Sequence, residues 1–138
     1  MAKESGLAFA CSVDDSAGGA RDISNDITSL TFGTPSAEQD TTGLDKSAHE
    51  RLLLLADASV SLNGVFNDAA QPASHLTFKD YRTLSGVEVG RTTSLVHSGQ
   101  TLTMEILYTD YALNRPATGE LTWTAPGNLS DGTVPAWS

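Results

Sequence analysis

The stretch that decides the fold is residues 101–125, TLTMEILYTDYALNRPATGELTWTA. Apolar and polar side chains alternate from Leu102 to Tyr108, and this period of two predicts a strand with one buried face. The pattern stays extended to Leu113. After a turn over residues 114–119, the alternation resumes from Leu121 to Ala125 and predicts a return strand.

Similar alternation and β-branched residues predict further strands on the N-terminal side. These lie at residues 7–13, 23–32, 58–66 and 87–96. The first of them ends in a cluster of turn-forming residues at 14–19.

The pair Asn63-Gly64 lies inside one predicted strand and allows two interpretations. Both residues tolerate positive φ, so the pair suits a two-residue hairpin turn, and it equally suits a β-bulge. We favour the bulge, because Val65-Phe66 is followed at once by Asn67-Asp68 and leaves little room for a returning strand.

Four segments lack strand periodicity. Residues 33–44 predict a long loop, whose length suggests an interaction role. Ser47 and Glu50 have capping-box spacing and predict a short helix over residues 46–54, although four consecutive leucines cannot share one helix face, so the last of them should lie under a sheet or at a subunit contact. Residues 68–86 predict a short helix or irregular structure, and residues 126–138 an extended tail.

Together these elements predict a mainly β fold in one domain spanning residues 1–138. About six or seven short strands separated by turns indicate an antiparallel β-sandwich or a partly closed barrel. One short flanking α-helix and the long inter-strand loop complete the predicted architecture.

The charge balance is acidic, with seventeen Asp and Glu against eight Lys and Arg and a net charge of −9. Residues 1–45 alone contain eight of the acids and two of the bases. Affinity for nucleic acid comes mainly from Lys and Arg that neutralise phosphates. We therefore expect no tight nucleic-acid binding.

The sequence gives no sign of secretion or membrane insertion. Cys11 is the single cysteine, and no secretion signal is visible, which indicates folding in a reducing cytoplasm. The longest apolar run, Leu52–Ala56, is far shorter than the roughly 18 residues of a membrane-spanning helix.

No pattern in the sequence indicates catalysis, a metal site or a cofactor. His49, His75 and His97 have no second ligand-type residue at metal-binding spacing, and neither a phosphate-binding glycine loop nor a nucleophile-elbow motif is present. Cys11 lies on an apolar strand face and predicts a core residue. We expect a protein that is not an enzyme.

Several stretches resemble the tail-tube, or major tail, proteins of long-tailed bacteriophages. They are DITSLTF at 26–32, QDTTGLDKSAHERL at 39–52 and ASVSLNGVFND at 58–68, followed by YTDY at 108–111, GELTWTAPG at 119–127 and SDG at 130–132. The resemblance runs from about residue 7 to 137. Its motifs are structural, and no catalytic residue is carried over.

The resemblance implies a β-sandwich subunit that joins copies of itself into six-membered rings, which stack into a hollow tail tube for DNA ejection. It implies a virion protein made in the host cytoplasm. The implied partners are tape-measure and tail-terminator proteins and double-stranded DNA that passes through without tight binding.

Two groups of residues follow as candidate sites. Contacts between subunits or rings are predicted in the long loop, in the bases and at the extended end: Pro35, Glu38, Gln39, Asp40, Thr42, Gly43, Lys46, Arg51, Arg91, Arg115 and Trp137. An acidic bore would repel DNA phosphate, and its candidate residues are Asp14, Asp15, Asp22 and Asp26.

Two alternatives stay open. A non-catalytic binding module for a carbohydrate or cell surface would need a cluster of exposed aromatic residues; Trp123 sits on an apolar strand face, whereas Trp137 in the tail is free to serve. Another virion part, such as a head-completion or decoration protein, would share the same kind of sandwich.

Overall fold

The structure, a computed structural model, describes residues 3–69, 74–82 and 90–138. Within these ranges the chain forms ten strands, one short α-helix and a 3-10 turn at Ser24–Asp26. The strands are β1 (Ala10–Asp14), β2 (Ala20–Asp22), β3 (Ile27–Gly33), β4 (Ser36–Asp40), β5 (Arg51–Ala56), β6 (Ser59–Val65), β7 (Arg91–His97), β8 (Gln100–Tyr108), β9 (Ala112–Asn114) and β10 (Thr122–Leu129). The helix, α1, is Ser74–Phe78.

Eight of these strands form one sheet in the order β2-β1-β7-β8-β10-β6-β3, with β9 paired to β10. All the pairings are antiparallel. In the described part of the chain the end strands β2 and β3 do not pair with each other, so the sheet is not closed into a barrel. The predicted antiparallel, sandwich-like fold is confirmed.

The core lies between the two halves of the sheet and follows the alternation predicted from the sequence. On β8, residues 102, 104, 106 and 108 are all buried, and Trp123 and Ala125 are buried on β10. Helix α1 adds Phe78, whose ring lies 5.1 Å from that of Tyr108 and 5.3 Å from that of Trp123, centroid to centroid. Burial of these side chains supplies the main driving force for folding.

Close packing around position 64 of strand β6 requires a glycine. A Cβ at this position would lie 2.1 Å from the backbone oxygen of Asp26 and 2.7 Å from the Trp123 indole. The indole Nε1–H donates to the backbone oxygen of Val65 at 3.0 Å. The glycine thus lets the largest core side chain lie directly against strand β6.

The favoured interpretation of Asn63-Gly64, a bulge within one continuous strand, is right about the continuous strand and the position of the irregularity, but the extra residue belongs to the neighbouring strand. Strand β6 runs straight through the pair in unbroken register with β10, which excludes a hairpin turn. The irregularity lies on the opposite strand, β3, where the register shifts between Ile27 and Ser29.

The predicted helix over residues 46–54 is wrong, because residues 51–56 form strand β5. A strand places alternate leucines on opposite faces, which accommodates four in a row. The short helix occurs instead at Ser74–Phe78, inside the segment predicted to be helical or irregular.

The predicted loop over residues 33–44 contains strand β4, which pairs with β5. Every residue of β4 is exposed, so the alternation that marks a half-buried strand is missing from the sequence.

The remaining differences lie at strand boundaries. The predicted tail from residue 126 begins as strand, because β10 continues to Leu129. Pro126 is tolerated where the neighbour of β10 changes from β9 to β8. The predicted strand at 23–32 is interrupted by the 3-10 turn, and positions 87–89 of the predicted strand at 87–96 lie outside the described residues.

We expect the Gly64→Ala variant to lose about 1 to 3 kcal/mol of unfolding free energy or more, because the added methyl group overlaps backbone and indole. Urea unfolding followed by tryptophan fluorescence measures the loss. Gly33→Ala is the matched control, since a Cβ at Gly33 meets nothing within 4 Å. Equal stability of the two variants would contradict the close packing described for Trp123.

Candidate assembly surfaces

Strands β4 and β5, which lie between β3 and β6 in the chain, form a two-stranded ribbon. We call this ribbon the arm (residues 36–56). Its register pairs Glu38 with Leu53, and Asp40 with Arg51. At its base the Asp57 N–H donates to the carbonyl oxygen of Pro35 at 2.8 Å. The arm thus leaves the sandwich from the edge of the sheet that β3 and β6 form.

The arm exposes an apolar surface that it cannot cover itself. Leu53 and Leu55 are 78% and 85% exposed and share one face of β5, while Leu52 and Leu54 lie on the other face and are about half exposed. Fully burying a leucine is worth about 1.5 to 3 kcal/mol. Large exposed apolar patches mark interaction sites, and a lone two-stranded ribbon is at best marginally stable in water. The arm therefore has the features of an interaction surface.

The tip of the arm is held by a polar network around Asp40. Its carboxylate accepts the Thr42 N–H at 2.9 Å and the Thr42 hydroxyl at 2.5 Å, and it lies 3.1 Å from His49 Nδ1. These hydrogen bonds, those from Thr42 foremost, hold the pKa of Asp40 below its usual value. The network fixes the shape of the tip without burying it.

Most of the predicted contact residues lie on or beside this arm. The exposed members are Pro35, Glu38, Gln39, Asp40, Gly43, Lys46 and Arg51, and Thr42 is partly exposed. Lys46 Nζ lies 3.6 Å from Glu50, and Arg51 Nε lies 3.6 Å from Glu38. Such exposed ion pairs contribute little stability, so both cations can exchange partners.

Two predicted contact residues lie elsewhere on the surface. Arg115 is exposed in the turn after β9. Trp137 is 49% exposed, forms a β-bridge with Leu102 and has its ring 6.0 Å from that of Phe32. The C-terminal segment is thus folded back onto the sandwich.

Arg91, also predicted at a subunit contact, is instead buried, with 2% of its surface exposed. Its Nη1 donates to the carbonyl oxygens of Asp14, at 3.2 Å, and Thr77, and its Nη2 donates to the carbonyl oxygen of Asp80 at 2.7 Å. The guanidinium therefore joins β7 to the helix segment and to the end of β1.

Three of the four acids predicted to line a bore, Asp14, Asp15 and Asp26, are also buried, and Asp22 is exposed. The Asp15 carboxylate accepts Ala17 N–H, Gly19 N–H and Arg21 Nε–H. Burial raises the pKa of Asp15, but these hydrogen bonds outweigh it and hold the pKa below its usual value.

The Asp26 carboxylate, like that of Asp15, accepts hydrogen bonds inside the subunit. Its two carboxylate oxygens accept the Asn67 side-chain amide at 2.9 Å and the Ser74 N–H at 2.8 Å. Both oxygens of this buried carboxylate are thus engaged inside the subunit.

Part of the outer face of the sheet carries no charge. Strands β3, β6, β9 and β10 contain no Asp, Glu, Lys or Arg, although charged residues make up 18% of the chain. The residues on the side away from the core are mainly hydroxyl and amide side chains, with Val65 as the large apolar exception. We call this side the neutral face: Ser29, Thr31, Gly33, Ser59, Ser61, Asn63, Val65, Ala112, Asn114, Thr122, Thr124, Pro126 and Asn128.

Among the described residues no cluster of His, Cys, Asp and Glu has the arrangement needed to hold a metal ion. His75 Nδ1 lies 3.2 Å from the Tyr111 hydroxyl, and His97 lies 3.7 Å from Glu4. Cys11 is buried in the core, and burial raises its pKa to about 12. None of the described helices has the length and apolar character to cross a membrane.

The fold and the arm together define a class of protein, an antiparallel β-sandwich that extends an uncovered apolar ribbon. A chain in the virion of a native gene transfer agent particle has this fold, with a TM-score of 0.71 and 16% identity over 99% of both chains. A chain in the tail of an empty gene transfer agent particle, refined helically with C6 symmetry, gives a TM-score of 0.71 and 18% identity over 99% of this chain and 98% of that chain.

No protein-family model and no curated protein sequence matches the chain. At identities this low the structural likeness shows a shared fold. The resemblance to tail proteins that the sequence motifs predicted is confirmed at that level.

Replacing Arg91 with alanine should destabilise the chain by about 3 kcal/mol or more, because several buried carbonyl oxygens lose their donor. Thermal or urea unfolding measures this. Arg115→Ala should stay within about 0.5 kcal/mol of the parent, since Arg115 is exposed. Similar effects of the two substitutions would contradict the structural role of Arg91.

Proposed function

We propose that the chain is a non-enzymatic structural protein of a phage-like tail, and that it self-assembles into stacked, six-membered rings forming the tail tube. The observation that carries the proposal is the arm, whose leucines are exposed in the single chain and require cover. The shared fold with chains of a gene transfer agent virion and tail supports it, and the C6 symmetry of that tail supports rings of six.

Assembly also answers the problem of the open sheet. The end strand β3 has, among the described residues, no strand on the side away from β6. Exposed edges invite uncontrolled pairing, and closing sheets from several subunits into one barrel removes them. A ring of copies would therefore satisfy the edge and the arm together.

The burial of Asp14, Asp15 and Asp26 changes the proposal for the bore. We assign the bore wall to the neutral face, which offers DNA phosphate neither cations to bind nor a strong field to oppose it. Hydroxyl and amide groups keep such a wall wetted, so a duplex can pass without tight binding. Tape-measure and tail-terminator proteins remain the proposed partners at assembly, and the virion tail the proposed location.

The alternatives have less support. A binding module would need a cluster of exposed aromatic side chains. Trp137 is the aromatic residue that is strongly exposed in the described part of the chain. Its ring packs near that of Phe32, and its backbone forms a β-bridge with Leu102. A head-completion or decoration protein would share the sandwich, but one of the two similar chains belongs to a tail.

Self-assembly is tested by comparing Leu53→Ser with Leu113→Ser. Both leucines are exposed in the single chain, but Leu53 is on the arm and Leu113 is on β9. We expect Leu53→Ser to raise the protein concentration needed for assembly at least tenfold, since one lost leucine contact costs about 1.5 kcal/mol at each interface. Leu113→Ser should assemble like the parent.

Sedimentation velocity and negative-stain microscopy measure the outcome. Hollow tubes or rings from the parent chain, lost on substitution of Leu53, support the proposal. A parent chain that stays monomeric at high concentration would refute the tube, and equal assembly of both variants would refute the role of the arm.

A further inference from the structure

A groove opens at the free edge of β3, and it is a second uncovered apolar surface beside the arm. It has a volume of about 460 Å³ and lies between the N-terminal segment at Gly6–Phe9 and strand β3. Its apolar lining includes Leu7, Phe9, Cys11, Leu30 and Phe32. Leu7, on the rim, is 79% exposed. This groove has the shape and lining to accept an extended apolar segment.

Two free strand edges are available to each other. In the described part of the chain, β3 ends the large sheet and β5 pairs with β4 on one side only. Addition of a strand to an exposed sheet edge is a common recognition mode, in which backbone hydrogen bonds give affinity and pockets for alternate side chains give specificity. The alternate side chains of β5 with the greatest exposure are Leu53 and Leu55.

The two surfaces are uncharged, and the residues beside them have opposite charges. Both the leucine run and the groove lining are uncharged, and the run begins directly after Arg51. Ser24, one of the residues that line the groove, donates its hydroxyl to Asp22 at 2.6 Å. Asp22 is exposed, and no cation among the described residues lies within ion-pair distance of it.

We propose that the groove beside β3 receives strand β5 of a second copy of the chain, with Leu53 and Leu55 packed into the groove and Arg51 paired with Asp22. The acid sets the direction of the incoming strand. Ser24, whose hydroxyl donates to the Asp22 carboxylate, lies in the 3-10 turn that leads directly into β3. An Arg51 placed at this carboxylate therefore makes β5 run parallel to β3. This inference rests on the proposed self-assembly and specifies which two surfaces meet.

Charge exchange is the first test. Asp22→Arg and Arg51→Asp should each raise the concentration needed for assembly at least tenfold, because each places like charges at the contact. The double variant should return it to within about threefold of the parent. Lys79→Asp is the control, an exposed cation after α1, and it should leave assembly unchanged. A double variant as defective as the single ones would overturn the pairing.

Disulfide cross-linking between copies is the second test, done with Cys11 replaced by alanine. A chain with Leu53→Cys is mixed with one carrying Leu30→Cys and oxidised mildly, and we expect a cross-linked dimer that forms only in the mixture. Leu113→Cys replaces Leu53→Cys in the control mixture and should give none.

The outcomes separate the two proposals. Tubes that form without the Leu53–Leu30 cross-link would overturn this inference and leave the tail-tube proposal standing. A parent chain that forms no assembly would overturn both. Cross-linking of Leu55→Cys with Leu30→Cys but not of Leu53→Cys would show a shifted register and would overturn the Arg51–Asp22 contact.

Discussion

Strand β5 carries leucines on both faces of a ribbon only two strands wide, and such a ribbon has no second layer to cover them. In water this arrangement is costly, because each exposed leucine forgoes about 1.5 to 3 kcal/mol of burial. The arm nevertheless has a defined tip, held by the hydrogen bonds around Asp40. A structured but uncovered apolar ribbon is best understood as half of an interface, and the proposed function follows from that constraint.

The sandwich serves this arm as a rigid base. The Trp123 indole lies against Gly64, Asp26 joins the 3-10 turn to helix α1, and Arg91 joins the helix segment to β7 and β1. These contacts tie the 3-10 turn, helix α1 and the strands β1, β6, β7 and β10 into one unit. Asp26 and Arg91, charged residues that the sequence would place on the surface, form hydrogen bonds inside the subunit instead. The surfaces that remain available for contacts are the arm, the groove beside β3 and the neutral face.

The half-buried strands were predictable because their alternation is written locally in the sequence, as residues 102–108 show. The arm was not, since a strand exposed on both faces has no such alternation. The capping-box pattern at Ser47 and Glu50 misled because Glu50 is used across the arm: its N–H donates to the Thr42 hydroxyl, and its carbonyl oxygen accepts the Thr41 N–H. Short local motifs cannot reveal such a choice between partners.

The candidate site was predictable to a similar extent. The arm residues were placed at contacts because the sequence there lacks core periodicity. The burial of Arg91 and of three acids depends on segments far apart in the chain, and charged side chains are rarely buried, so position in the sequence gave no warning. The neutral face was within reach of sequence reasoning, since four strands without a charged residue are visible in an acidic chain.

The central claim is that the arm becomes covered when copies of the chain assemble. Amide hydrogen exchange of residues 51–56 tests it most directly, measured in the assembled protein and in the dilute single chain. The account predicts that exchange at these amides slows at least tenfold on assembly, while amides of the core strand β8 change little. Assemblies in which residues 51–56 exchange as fast as in the single chain would contradict it.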